Sequence, residues 1–157
     1  MKRKNNFVIR EMEAGDYPSC TALCGGKCNF SETCLAQRAA GNRTAYALYL
    51  KGKIIAECHL VFDNPAYGTV PGRRVYFSRM FTKKAFRCQG YGTKMAQFIL
   101  SLAKEQGYEE IALGVNCDND TAVRLYQKLG FSVYEIAEDA DGKYFKMEKT
   151  SARDSKT

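Results

Sequence analysis

Apolar and polar residues follow two rhythms along the chain. In the first half the apolar positions come in short runs. Phe7 to Glu11 reads as a strand. Ala45 to Leu50 and Ile54 to Phe62 are two more, separated by Lys51-Gly52-Lys53, a hairpin signal. Arg74 to Thr82, carrying Val75, Phe77, Met80 and Phe81, is a fourth. Between the first two, Asp16 to Leu23 and Ser31 to Ala40 read as helices around the turn signal Gly25-Gly26, and Ser31 with Glu32 marks a helix start. Asp63 to Gly72, with two Pro and two Gly, is a loop.

The second half shifts to helical spacing. Met95, Phe98, Ile99 and Leu102 recur at steps of three and four and predict a helix from about Gly90 to Gln106, ended by Gly107. Ile111 to Val115 is a buried strand. Ala122, Leu125, Tyr126 and Leu129 mark a second helix that begins near Asn119 and closes at Gly130. Phe131 to Ala137 and Tyr144 to Glu148 form a hairpin around Asp141-Gly142. The order β-α-α-β-β-β-α-β-α-β-β describes an α+β (α/β layered) fold, a mixed sheet with helices on its faces.

Composition narrows the picture. The 157 residues suit one domain, expected over residues 1–149, with a polar frayed tail at 150–157. Nine Phe and ten Tyr supply too much apolar surface for a disordered chain. The net charge of +7 favours anionic partners without choosing among them. Ala45 to Leu50 is the longest apolar run, far short of the ~20 residues that span a bilayer. Met1-Lys2-Arg3-Lys4 leads into Phe7-Val8-Ile9, too short for a signal-peptide core. Seven Cys is an odd number and fits a reducing compartment. The expectation is a cytoplasmic protein with no membrane partner.

Arg87-Cys88-Gln89-Gly90-Tyr91-Gly92-Thr93 joins a predicted strand to an amphipathic helix. Two Gly two residues apart let the backbone turn sharply and approach a ligand closely. The first helical turn adds unpaired N–H groups and the positive end of the dipole, an anion site suited to a pyrophosphate. Arg87 brings a fixed charge and Thr93 a hydroxyl. On spacing alone a plain strand-to-helix turn stays equally open. A dinucleotide fingerprint is excluded, since Met95 stands where a third Gly belongs. A P-loop is excluded because the chain holds no Gly-Lys-Ser/Thr.

Arg87-x-x-Gly90-x-Gly92, with its lead-in Thr82-Lys83-Lys84-Ala85-Phe86, resembles the acetyl-coenzyme-A signature of the GNAT superfamily of N-acetyltransferases. Asn119-Asp120-Thr121-Ala122-Val123-Arg124-Leu125-Tyr126-Gln127-Lys128-Leu129-Gly130-Phe131 resembles that family's second signature. The two motifs stand in the family's order, one helix and one strand apart. The resemblance implies a mixed, mostly antiparallel twisted sheet flanked by helices, and acetyl-coenzyme A (acetyl-CoA) as cosubstrate. It implies that Met80, Phe81 and Thr82 line the pantetheine arm. Cys88, Gln89, Gly90, Tyr91, Gly92 and Thr93 would hold the pyrophosphate, with Arg87 at the entrance. Asn119 would contact the cofactor arm, and Tyr126 would donate a proton to the departing sulfur. From the residues alone, Tyr126 reads as a core aromatic.

The chain departs from the family at one point. Members that acetylate ribosomal protein N-termini carry a Glu general base five residues before the signature Asn, and here that position is Gly114. Glu57 and His59, two apart on one strand face, are the candidate general base, and an ordinary pairing role stays open for both. A water relay from a backbone carbonyl is the other route. Cys20, Cys24, Cys28 and Cys34 leave three, three and five residues between them, so a zinc site is conceivable, but they read better as small buried side chains and no metal is expected. Basic clusters at Lys2-Arg3-Lys4, Arg73-Arg74 and Lys83-Lys84 raise nucleic-acid binding, but no accompanying motif supports it. Glu138, Asp139 and Asp141 sit at a hairpin tip, where a solvated turn or attraction for a cationic amine would suit them. The activity implied is acetyl transfer to a primary amine of a small molecule or peptide, by a monomer or homodimer. The alternative is a module that binds acetyl-CoA without catalysis.

Overall fold

The structure, a computed structural model, describes residues 6–18 and 31–150. Its strands are β1 (Phe7–Glu11), β2 (Arg43–Leu50), β3 (Lys53–Val61), β4 (Arg74–Thr82), β5 (Glu110–Asn116), β6 (Ser132–Asp139) and β7 (Gly142–Thr150). Its α-helices are α1 (Ser31–Ala39), α2 (Tyr91–Glu105) and α3 (Asp120–Lys128). The strands form one sheet in the order β1-β2-β3-β4-β5-β7-β6. The pairs β1/β2, β5/β7 and β6/β7 are antiparallel, and β4/β5 is parallel. This is the mixed α+β fold read from the sequence.

The chain divides into two compact units, Met1–Leu60 with Arg79–Ser101 and Val61–Ser78 with Leu102–Thr157. In the first, Met12, Tyr17, Cys34, Ala45, Ala47 and Tyr49 make a buried cluster, and Leu35 and Ile54 pack against it. β2 turns into β3 through Lys51 and Gly52 at φ 52° and 82°. Positive φ at both positions marks a type I′ turn, and Gly supplies that conformation without strain. Helix α2 buries Met95 and Ile99 of the predicted stripe together with Ala96, while Phe98 tilts against Tyr46 with ring centres 5.8 Å apart.

In the second unit β5 is buried at Ile111, Ala112, Leu113 and Val115, and its neighbour β7 at Met147. Phe77 stacks on Phe131 at 6.3 Å, and Tyr126 meets both rings edge-on at 6.2 and 5.7 Å. Arg74 and Glu110 face each other across β4 and β5 and pair at 2.8 Å, with Arg73 and Glu148 alongside. β6 forms one edge of the sheet. Its register against β7 slips between Val133 and Glu135, so Tyr134 is the extra residue of a β-bulge.

Some boundaries differ from the sequence reading. β2 begins at Arg43, two residues before Ala45, because Arg43 is buried among polar partners that its own charge does not announce. A 3-10 turn at Ala14–Asp16 occupies the start of the expected Asp16–Leu23 helix. Pro18 is helical, and residues 19–23 of that helix and the Gly25-Gly26 turn lie outside the described residues. Thr150 belongs to β7, opposite Glu110, and not to the tail. Short 3-10 turns at Pro65–Tyr67 and Lys84–Phe86 interrupt stretches read as plain connections. Among the described residues no helix is long and apolar enough to cross a membrane.

Candidate functional site

In the first unit, β4 runs out at Thr82, and the loop from Arg87 to Gly90 leads into α2. The two Gly of that loop do different work. Gly90 sits at φ 90° with open space where a Cβ would stand, so it is required by backbone conformation. Gly92 has no such φ, and a Cβ there would stand in ordinary contact with Thr82 Oγ1 at 3.5 Å, so only a larger, branched side chain would crowd the strand end. Arg87 Nε donates to the Thr82 carbonyl at 2.9 Å, and Gln89 Nε2 donates to Ala85 O at 3.2 Å, tying the loop to its lead-in. Tyr91 is buried edge-on against Phe7 and Phe86, which anchors the first turn. Lys94 N–H donates to Gly90 O at 3.1 Å. Helix geometry therefore leaves the N–H groups of Tyr91, Gly92 and Thr93 without an intrahelical carbonyl. Fifteen residues give α2 a full dipole at that end. With exposed Lys83, Lys84 and Arg87 nearby in the chain, the loop fits an extended anionic ligand such as the pyrophosphate of acetyl-CoA.

Glu57 and His59 do share one face of β3, and both side chains are fully buried. Arg79 Nε donates to Glu57 Oε2 at 2.7 Å. Arg43 lies 2.7 Å from His59 Nδ1 and sends Nε to Gln37 Oε1 at 2.6 Å. Arginine has only donors, so Nδ1 is the acceptor and the ring proton sits on Nε2, which faces Glu57 Oε2 at 3.6 Å. Burial lowers the His59 pKa from its ordinary value, against the raising effect of Glu57, and keeps the ring neutral. As the expected general base, this pair meets a geometric obstacle: neither side chain reaches solvent, and both His59 nitrogens are committed. Arg79 itself stands at φ 56°, an uncommon conformation for a residue other than Gly, and interrupts β4 just before Met80. Its side chain, 3 % exposed, is held by Glu57 and lies over the Phe81 ring at 5.0 Å.

In the second unit Asn119 caps α3, its Oδ1 accepting from Ala122 N–H at 3.2 Å. That bond commits the oxygen to the helix start. Tyr126 lies two turns along the helix and is 5 % exposed, its ring fixed by Phe77 and Phe131. The same unit holds a pocket of about 290 Å³ lined by Tyr67, Tyr76, Tyr134, Tyr144, Asp139 and Lys146, with Gly114 in its floor. A Cβ at Gly114 would stand 3.2 Å from the Tyr76 hydroxyl and 3.5 Å from the Tyr144 ring. The space beside position 114 is thus taken by Tyr76.

Sequence reasoning missed these four Tyr, and it missed Arg43 and Arg79. The Tyr lie on separate elements with no common spacing, and ten Tyr in a chain without Trp was the available signal. Of the cysteine cluster, Cys34 is buried as expected, while Cys20, Cys24 and Cys28 lie outside the described residues. Among the described residues no cluster of His, Cys, Asp or Glu is arranged to hold a metal ion.

Known proteins are similar to this chain in sequence or in architecture. N-alpha-acetyltransferase 30 of Schizosaccharomyces pombe is 37% identical over 62 residues, 40% of this chain and 41% of that protein. Thialysine N-epsilon-acetyltransferase of Bos taurus is 32% identical over 65 residues, 41% of this chain and 38% of that protein. The match thus spans about two fifths of the length of these curated relatives. The ribosomal-protein-S18-alanine N-acetyltransferase from Escherichia coli superposes with a TM-score of 0.79 at 18% identity, over 96% of this chain and 97% of that one. Ard1 from Thermoplasma volcanium gives 0.79 at 19% identity, over 94% and 99%. At such identities the superpositions establish the fold. Residues 9–131, which contain both signature motifs and the helix and strand between them, match the Acetyltransferase (GNAT) family, and the chain belongs to that family.

Proposed function

We propose that the protein is an acetyl-CoA-dependent N-acetyltransferase that moves an acetyl group directly to a primary amine of a small molecule or peptide. The observation that carries this reading is the Gly90/Gly92 loop opening into the N-terminus of α2, with Arg87 tied to Thr82. Cys88 to Thr93 would hold the pyrophosphate through backbone N–H groups. Met80 to Thr82 would offer strand backbone to the pantetheine arm, and the Asn119 amide would contact it. A backbone N–H of that strand would polarise the thioester oxygen.

Acetyl-CoA supplies an acyl carbon activated by its bond to sulfur. As the acceptor nitrogen bonds to that carbon, the carbon–sulfur bond breaks. Tyr126 gives its phenolic proton to the departing sulfur, and the nitrogen loses its surplus proton to a water relay. We assign Glu57 to holding Arg79, and through it the interruption of β4 ahead of Met80, with His59 supporting that pair. Direct proton abstraction by either side chain is disfavoured by their burial. Relatives named for N-alpha and for N-epsilon acetyl transfer support an amine acceptor. The odd number of Cys supports a reducing, cytoplasmic setting.

A thiol-release assay with acetyl-CoA across an amine panel tests the reading. Amine-dependent release is the expected result. Tight acetyl-CoA binding with no release for any amine would favour the non-catalytic binding module.

A further inference from the structure

The pocket in the second unit is assembled from five elements on one face of the sheet. Tyr76 of β4 pairs with Ala112 of β5, and Gly114 lies two residues on, facing the same way. Gly114 pairs with Lys146 of β7, and Tyr144, two residues earlier, pairs with Asn116. Tyr134 is the bulged residue of β6, and its hydroxyl lies 3.6 Å from the Cβ position of Gly68. Bulges re-aim side chains, and here the bulge adds a ring to the wall. Tyr67, from the 3-10 turn Pro65–Tyr67, stacks on Tyr76 with ring centres 4.4 Å apart.

The aromatic part of that wall has one sign. Ring faces and phenolic oxygens are the negative parts of Tyr, and they attract cations. Asp139 adds a carboxylate at the exposed rim. The cation of the lining, Lys146, is paired with Glu135 at 3.6 Å. Burial, with the other three Tyr around it, pushes the Tyr76 pKa up to about 12, so its hydroxyl stays neutral and is no base. A volume near 290 Å³ lies at the small end of ligand pockets and has room for an aliphatic chain.

We propose that this pocket is the acceptor subsite, and that it selects aliphatic amines carrying a second protonated nitrogen, such as short diamines or a basic side chain. The proposal rests on the acetyl-transfer reading. An attacking amine must be neutral, so a monoamine gives up its only charge on reaction. A diamine keeps one ammonium for the Tyr faces and Asp139 while the other nitrogen attacks.

The test has two arms. In the first, kcat/KM is measured by thiol release for 1,4-diaminobutane and for n-butylamine, in the wild type, Asp139→Asn and Tyr134→Leu. Both variants change exposed positions and should fold. The diamine should be preferred by about tenfold or more, through KM. Both variants should shrink that preference, with the loss falling on the diamine's KM and not on kcat. No preference, or an equal loss for both amines, overturns the proposal. In the second arm, 1,4-diaminobutane is titrated against the whole chain without acetyl-CoA and followed by Tyr ring NMR shifts. Saturable shifts of Tyr76 and Tyr134, weakened in Asp139→Asn, are expected, and their absence overturns the pocket assignment. Saturable shifts together with no thiol release for any amine would sink the acetyl-transfer reading and, with it, the acceptor role of the pocket.

Discussion

The buried polar cluster of the first unit and the Tyr pocket of the second are built on opposite terms. Arg43, Glu57, His59 and Arg79 are sealed in the first unit, and their charges answer one another. Removing such groups from water is costly, and opposed charge with good hydrogen bonds is what makes it tolerable. A charge committed in this way is not available to a ligand, so its use is to fix backbone. The Tyr pocket of the second unit is open and carries little formal charge. Its phenols need no ion partner, and although Tyr67 and Tyr76 stack on each other, the Tyr134 ring stays exposed. Ionisable residues in a sequence draw attention as catalysts, but here the neutral phenols have the access.

The largest effect should come from unbalancing the sealed cluster. Glu57→Ala leaves the Arg79 guanidinium, 3 % exposed, facing no carboxylate, and should cost about 3–5 kcal/mol in urea unfolding. Glu57→Gln keeps a hydrogen-bond acceptor and should cost less. Unchanged stability in Glu57→Ala would mean the ion pair does not hold the β4 interruption. Next in size, Tyr126→Phe preserves the packing against Phe77 and Phe131 and deletes the hydroxyl. It should bind acetyl-CoA nearly as well while kcat falls on the order of 10²-fold. Wild-type kcat at saturating amine would return Tyr126 to a purely structural role.

Smaller effects separate the two Gly of the loop. Gly92→Val should weaken coenzyme A binding about tenfold, measured by calorimetry, by placing branched carbons at the helix start beside Thr82. Gly90→Ala should instead lower stability by about 1 kcal/mol, because φ 90° strains any residue with a Cβ. Equal affinity for coenzyme A in a folded Gly92→Val would remove the loop from the site. The smallest effect concerns pH. The folded state holds the His59 pKa below the ordinary value of about 6.5, so the unfolded chain binds a proton first as pH falls. Stability should be full above about pH 6.5 and decline below it, and His59→Gln should flatten that part of a melting-temperature profile. A decline of equal slope in His59→Gln would assign it to other groups.

Much of the architecture was legible because it is periodic. β1 and β4 have the bounds that their apolar runs predict, and α2 matches its Met95-Ile99 stripe to within a residue at each end. The loop motif was legible because close approach needs Gly. What stayed hidden depends on tertiary pairing. Arg43 opens a strand only because His59 and Gln37 receive it inside. The Arg79 kink has no local signal, since Arg is not a residue chosen for positive φ. The Tyr pocket gathers positions 67, 76, 134 and 144 through strand register and a bulge, neither of which shows in spacing.

The loop also carries its own reporter. Cys88 is exposed at φ 62° among the residues proposed for the pyrophosphate, whereas Cys34 and Cys58 are buried and their thiols are pushed up by that burial. A solvent-borne alkylating reagent therefore reaches Cys88 readily and these two only through unfolding. Seating a ligand over the loop should slow labelling at that one thiol, read from the mass of its peptide. Occupancy of the site then becomes a rate of chemical modification, measurable before any acceptor is known.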